Sequence, residues 1–201
     1  MDTPVDIRAW RAAYSNRAEP FLLEECLPSR NPFILFDHWF KNVAALSDLS
    51  FEECNAVCLS TVGKDLRPSS RTVLLKEYSK EGFSFFTNYE SRKGKQLKEN
   101  PQASMLFFWP KVHRQVRIEG KVMKLPAEAA NREVLMKRKI ELEEIAKSQG
   151  EAAITKPENW GGYILKPDYF EFWQGQSDRL HDRIVFTPAE DSEWKLQRLS
   201  P

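Results

Sequence analysis

The sequence predicts a mainly-β domain in which short strands form a closed or nearly closed barrel with peripheral α-helices. The 201 residues are 41% hydrophobic and 12% aromatic, which suits one globular domain with a substantial core. Short β-rich runs recur at near-regular spacing between turn residues, as is typical of barrels. No repeat, low-complexity tract or Pro/Gly/Ser-rich linker divides the chain.

The N-terminal part of the chain precedes the barrel. Residues 1–30 are mixed, irregular and punctuated by prolines, so they are predicted to form an arm, with one domain over 31–201. Pro32–Leu46 carries apolar residues at three- and four-residue steps, which predicts an amphipathic helix.

The remaining elements follow from alternation and turn signals. Ser91–Asn100 is predicted to be a short helix with Ser91 as its N-cap, and Pro126–Lys147 to be a charged surface helix. The slip in alternation at Gly120 predicts a β-bulge. The predicted strands are Asn55–Val62, Ser70–Lys76, Phe83–Thr87, Ser104–Trp109, Gln115–Leu125, Tyr163–Lys166, Tyr169–Trp173, Arg183–Phe186 and Trp194–Leu199.

Charge and composition exclude several functions. Lys and Arg number 30 against 29 Asp and Glu, so no broad basic surface gathers nucleic acid or an anionic membrane. No run approaches the ~18 apolar residues that span a bilayer, and the N-terminus lacks the apolar core of a signal peptide, so a cytoplasmic protein is expected. Cys26, Cys54 and Cys58 show no paired metal spacing and are expected to be thiols, and three scattered histidines predict no metal site.

Common catalytic motifs are also missing from the sequence. It contains no GxGxxG, GxxxxGK[ST], GxSxG or HExxH. If the chain is an enzyme, we therefore expect a cofactor to supply the difficult chemical step.

The first candidate site is SRKGK, from Ser91 to Lys95. It follows a predicted strand and opens a helix, so free backbone N–H groups lie beside Arg92 and Lys93 and could bind a phosphate. The predicted strand with Arg71 and Lys76 lies one hairpin earlier. A solvated helix start beside an ordinary strand would give the same pattern.

The second candidate site is EFWQGQSDRLHDRIVF, from Glu171 to Phe186. In an extended segment Arg179, His181 and Arg183 would share one face, which suits a phosphorylated aromatic ligand. A barrel-end loop with salt-bridged arginines remains an alternative, and Trp173 and His113 could simply belong to the core.

Five segments in order resemble the pyridoxine/pyridoxamine 5′-phosphate oxidases: RTVLLK, FFTNYESRKGKQL, RQVRIEG, NWGGYILKP and EFWQGQSDRLHDRIVF. The resemblance runs from about Asn31 along nearly the whole chain. It implies an FMN-binding split β-barrel of Greek-key type that dimerises, with FMN between the subunits. The implied reaction is oxidation of pyridoxine or pyridoxamine 5′-phosphate by O2 to pyridoxal 5′-phosphate and H2O2.

The resemblance also implies roles for individual residues. Arg179 and His181 would be catalytic and contact the substrate, together with Lys76 and the weaker N-terminal match Arg11 and Tyr14. The residues implied to hold FMN are Arg71, Leu74, Phe86, Thr87, Arg92, Lys93, Gln115, Trp173 and Arg183, the last two from the partner subunit.

One departure from the family pattern follows Pro126. There the family has a further segment that supplies a Tyr, an Arg and a Ser to the substrate phosphate and a Gln-Ser pair to FMN, and this chain passes almost directly into AEAANREVLMKRKIELEE. The rival readings are therefore a catalytically weak or inactive protein that binds FMN or pyridoxal phosphate, and an inactive subunit that pairs with a full-length paralogue.

Overall fold

The computed structural model describes residues 27–46, 53–126, 159–176, 181–190 and 193–200. Most of the predicted arm and the charged helix beyond Pro126 lie outside these ranges. The described elements are α1 (Pro32–Leu46), β1 (Ala56–Val62), β2 (Pro68–Leu74), β3 (Glu77–Ser79), β4 (Gly82–Asn88), α2 (Arg92–Glu99), β5 (Gln102–Trp109), β6 (Arg114–Lys124), β7 (Trp160–Gln174), β8 (Asp182–Pro188) and β9 (Trp194–Leu199).

The strands form one antiparallel sheet. Its path runs β2-β1-β5-β6-β7-β4-β3, and β8 and β9 continue from β7. The amide of Lys76, just after β2, donates to the Ser84 carbonyl oxygen in β4 at 2.9 Å, which brings the two sides of the path together. The predicted mainly-β, split-barrel fold is therefore confirmed.

Helix α1 packs its apolar face against the core of the barrel. Its apolar face buries Leu35, Phe36 and Trp39, each 1% exposed or less. The Phe36 ring lies 4.9 Å from that of Phe83 and 5.1 Å from that of Phe107, both edge-on. Such contacts between aromatic rings stabilise the core beyond the burial of their area, so α1 is part of the barrel core.

Strand β7 corrects the predicted strand pattern. The sequence predicts two strands, Tyr163–Lys166 and Tyr169–Trp173, whereas one strand runs from Trp160 to Gln174. Proline removes a ladder hydrogen bond, but Pro167 lies beside a bulge where the ladder is already interrupted. Gly120 pairs with Pro167 and Glu119 with Tyr169, which leaves Asp168 as the extra residue.

The β-bulge thus lies at Gly120, as the sequence predicts, but its extra residue belongs to β7, the strand that faces β6. Gly120 is required there because a Cβ would lie 2.1 Å from the Lys166 carbonyl oxygen. The short strand β3, which pairs with β4, was missed because only its turn is visible in the sequence. No helix in the described part of the chain is long and apolar enough to cross a membrane.

Candidate functional site

Arg71 lies on β2, with its guanidinium held from one side. Nη1 donates to the Leu59 carbonyl oxygen at 3.0 Å and to Thr61 Oγ1 at 2.7 Å, and Nη2 donates to Ser69 Oγ at 2.6 Å. The two hydroxyl groups in turn donate to Gln96 Oε1 of α2, at 2.7 and 2.8 Å. Because both hydroxyls give their hydrogens to Gln96, their lone pairs are available to the guanidinium.

Arg71 has cationic neighbours at the start of α2. Burial, and then the nearby charge of Arg92, lower the pKa of Arg71. Burial and the charge of Arg71 likewise lower the pKa of Lys93. Among the described residues no carboxylate pairs with Arg71, Arg92 or Lys93. An anion bound beside these cations would stabilise their charged forms.

The backbone at this point completes an anion site. Ser91 caps α2, as predicted, and its Oγ accepts from the Gly94 amide at 3.3 Å. The amides of Arg92 and Lys93 begin the helix and have no partner inside it. Two amides, a helix N-terminus and three cations together suit a phosphate monoester.

Gly94 is needed because the helix start packs against the preceding turn. A Cβ there would lie 2.2 Å from the Tyr89 carbonyl oxygen. We expect Gly94→Ala to lower the free energy of unfolding by about 1–3 kcal/mol, as overpacking does, and to weaken anion binding at the displaced amides. Denaturant unfolding without cofactor would measure this, with exposed Lys95→Ala as the control. An unchanged midpoint would show that the Tyr89 backbone yields.

Other predicted contacts lie near this cluster in the sheet. Leu74 ends β2 and Phe86 lies in β4, both half-buried, while Thr87 is buried. Lys76 is exposed beside β4, through its backbone bond to Ser84. These positions lie on β2 and β4 or just after β2, where the backbone bond from Lys76 to Ser84 joins the two strands.

A second group lies where β6, β7 and β8 run side by side. Trp173 of β7 is flanked in register by Gln115 of β6 and Arg183 of β8. The His181 ring lies 4.9 Å from that of Trp173. The backbone amide of Gln176 donates to His181 Nδ1 at 3.1 Å, so a neutral His181 carries its hydrogen on Nε2.

Arg183 joins a charged network on the same strands. Its Nε donates to Glu171 Oε1 at 2.8 Å, and Arg117 binds the other oxygen of Glu171. The alternative offered in the sequence analysis, that an arginine of this segment forms a salt bridge, therefore holds for Arg183. Arg179, Arg11 and Tyr14 lie outside the described residues.

Sequence reasoning missed the residues that hold these arginines. Gln96 and Thr61 meet Arg71 only through long-range folding, and Glu171 meets Arg117 only through the register of β6 and β7. The one signal was the alternation that puts Arg117 and Glu119 on one face of β6, and Tyr169 and Glu171 on one face of β7.

Comparison with known families agrees with this arrangement. Residues 45–160 match the family described as pyridoxamine 5′-phosphate oxidase, and residues 160–201 match the C-terminal dimerisation region of pyridoxine 5′-phosphate oxidase. The chain belongs to the pyridoxine/pyridoxamine 5′-phosphate oxidase family. Strands β7, β8 and β9 form the family's dimerisation region.

Individual relatives resemble the chain over most of its length. A provisionally named pyridoxamine 5′-phosphate oxidase from Caenorhabditis elegans is 58% identical, over 100% of both chains. The pyridoxine-5′-phosphate oxidase of Bos taurus is 41% identical, over 98% of this chain and 88% of its own. PhzG from Burkholderia lata, solved with tetrahydrophenazine-1-carboxylic acid, is similar in structure with a TM-score of 0.74 and 27% identity, covering 90% of this chain and 98% of its own.

The alignment with the relative from Caenorhabditis elegans contains positions that this chain lacks. The alignment runs over 227 positions and covers all 201 residues here, so at least 26 aligned positions have no residue in this chain. This shortfall agrees with the expectation that the chain lacks a segment that other family members have.

Proposed function

We propose that the chain is an FMN-dependent oxidase that converts pyridoxine 5′-phosphate and O2 to pyridoxal 5′-phosphate and H2O2, or pyridoxamine 5′-phosphate, O2 and water to pyridoxal 5′-phosphate, ammonia and H2O2. The observation that carries this proposal is the cluster of Arg71, Arg92 and Lys93 at the start of α2, in a chain of this family. The cluster fits the phosphate of FMN, which carries about −1.5 to −2 charges at pH 7.

The chain's residues bind and orient both ligands in this proposal. FMN bound by these residues would supply the two-electron oxidation of C4′ of the substrate, with O2 as the final electron acceptor. Arg71, Arg92 and Lys93 hold the FMN phosphate, Leu74, Phe86, Thr87 and Gln115 border the flavin, and Trp173 and Arg183 complete its site. By the resemblance to the family, Arg179 would cover the substrate ring and His181 would donate from Nε2 to a ring substituent. Lys76, Arg11 and Tyr14 would also contact the substrate.

The proposed site requires two subunits. Thr87 pairs with Gly161 at one end of β7, and Trp173 lies twelve residues further along the same strand. At ~3.3 Å per residue that separation is roughly 40 Å in a straight strand, which is longer than a mononucleotide. Trp173 and Arg183, together with Gln115, which pairs with Trp173, would therefore reach the FMN bound by a second copy of the chain.

A homodimer is thus the expected state in solution, because neither copy holds both parts of the site. Light scattering combined with flavin absorbance would measure mass and occupancy in one experiment. A monomer fully loaded with FMN would contradict the proposed two-subunit site.

The oxidase reaction has a direct test. Purified protein with added FMN would be given each phosphorylated vitamer while pyridoxal phosphate and H2O2 are followed together, with His181→Ala as the variant that keeps flavin but loses turnover. Equal yields of the two products support the oxidase. Failure to take up FMN would exclude it.

A second candidate function is an FMN-binding protein with little turnover. The shortfall of at least 26 aligned positions favours it, if the missing residues are the family segment that binds the substrate phosphate. Bound FMN without either product in the same assay would select this function. We also propose a cytoplasmic location, from the sequence argument above.

A further inference from the structure

Glu171 lies at the centre of a network of hydrogen bonds next to the proposed flavin site. Its carboxylate is buried, with a side chain 9% exposed. Oε1 accepts from Arg183 Nε at 2.8 Å, and Oε2 accepts from Arg117 Nη2 and, at 3.1 Å, from the hydroxyl of Tyr169. Both oxygens are thus used by three donors on three strands.

The network holds Glu171, Arg183 and Arg117 in their charged forms. Burial by itself would raise the pKa of Glu171, but hydrogen bonds from Arg183 and Arg117 outweigh it and lower the pKa. The hydrogen bond to Glu171 raises the pKa of Arg183. Glu171 is therefore a carboxylate, and the contact with Arg183 is a charge-assisted hydrogen bond.

These bonds fix the orientation of the Arg183 guanidinium. Nε is bound to Glu171, and Nη1 donates to the carbonyl oxygen of Ser200 at 3.2 Å. Within the described residues, the bonds of Arg183 leave its Nη2 group for a ligand. A guanidinium held at two of its three nitrogens loses less freedom when it binds a third partner.

The charges explain why one carboxylate serves two arginines. A carboxylate paired with Arg183 alone would cancel the positive charge that an anionic ligand meets. Glu171 shares its charge with Arg117, so these three groups carry one net positive charge, which Glu119 on the far side of Arg117 formally balances. Glu119, which pairs with Arg117, is 38% exposed and screened by solvent.

We propose that Glu171 is a positioning residue that fixes Arg183 for contact with the flavin, with Arg117 as its counter-charge. This inference rests on the proposed function, because it takes Arg183 as a flavin contact. It adds that flavin affinity depends on a carboxylate that does not itself touch the flavin.

The direction in which Glu171→Gln changes the affinity for FMN separates a positioning role from a purely electrostatic one. Glu171→Gln removes a negative charge near an anionic cofactor, so electrostatics alone would tighten FMN binding. Loss of positioning predicts the opposite, because the amide offers one acceptor to two arginines. We expect the FMN dissociation constant to rise roughly tenfold, within the range for coupled neighbours.

The experiment is a double-mutant cycle with Glu171→Gln and Arg183→Met. Titration of FMN-free protein by flavin fluorescence would give the four dissociation constants, and thermal unfolding without FMN would report any structural loss. Glu119→Gln is the matched control, since it removes the same charge from Arg117 without contacting Arg183. We expect its FMN affinity to be unchanged or tighter.

Each outcome decides the matter. Weaker binding in Glu171→Gln that disappears in the Arg183→Met background supports the inference. Unchanged or tighter binding, or equal weakening in both backgrounds, overturns it while the proposed function stands. If Arg183→Met leaves FMN affinity unchanged, Arg183 is not a flavin contact, and that assignment falls together with the inference.

Discussion

Grafting the family's segment between Pro126 and Asn131 is expected to lower the KM for pyridoxine 5′-phosphate by roughly two to four orders of magnitude. By the resemblance to the family, that segment would supply a Tyr, an Arg and a Ser to the substrate phosphate, whereas this chain keeps the exposed Lys76. Each restored charged hydrogen bond contributes about 1.5–3 kcal/mol, and two such bonds give this range if they add. Steady-state kinetics on both proteins would measure it.

The FMN dissociation constant provides the internal control for this graft. The proposed FMN site keeps Arg71, Arg92, Lys93 and Arg183 in the ungrafted chain, so the affinity for FMN should change much less than the KM. A graft of the same length made of glycine and serine should leave the KM high. A low-micromolar KM in the ungrafted chain, with normal turnover, would show that other residues replace the missing pocket.

Arg71→Ala is expected to raise the FMN dissociation constant by roughly 10- to 150-fold, the loss of about 1.5–3 kcal/mol that one charged hydrogen bond contributes. Arg71 is half-buried, and bonds to Leu59, Thr61 and Ser69 hold its guanidinium in place. A flexible surface cation could not take over this fixed contact with the phosphate. Arg92→Ala should fall at the lower end of this range, because Arg92 is exposed.

Lys95→Ala is the matched control for Arg71→Ala. Lys95 lies on the same helix with a side chain 64% exposed, and its Nζ is 3.9 Å from Glu90, so its removal should change FMN affinity little. Flavin titration would compare the two variants. Equal affinities in wild type and Arg71→Ala would refute the phosphate site at α2.

The elements that could be predicted from the sequence are those encoded within a few residues. Ser91 caps α2 through a bond to an amide three positions away, and the apolar steps of Pro32–Leu46 lie within one helix. Pro167 misled the strand prediction because local reasoning treats proline as a break. Whether a ladder tolerates proline depends on the facing strand, here the bulge opposite Glu119 and Gly120.

The candidate site shows the same division. Motif and resemblance pointed to Arg71, Arg92 and Lys93, and the structure brings their charges together. The residues that orient the arginines were not predictable, since Gln96 and Glu171 act on Arg71 and Arg117 across long sequence separations. Which side chains face each other there depends on strand register, and a slip of one residue would reverse the faces.

The two regions matched to the family meet at Trp160, the first residue of β7. This strand bonds to β6 from Tyr163 to Gln174 and also to β4, so the second region begins with the strand that joins β4 and β6 of the first region. A chain ending before it would leave β4 and β6 each with an unpaired backbone edge, a known template for aggregation. The dimerisation region is therefore inseparable from the fold of each subunit. Its loss would abolish cooperative folding as a whole instead of yielding a well-behaved monomer.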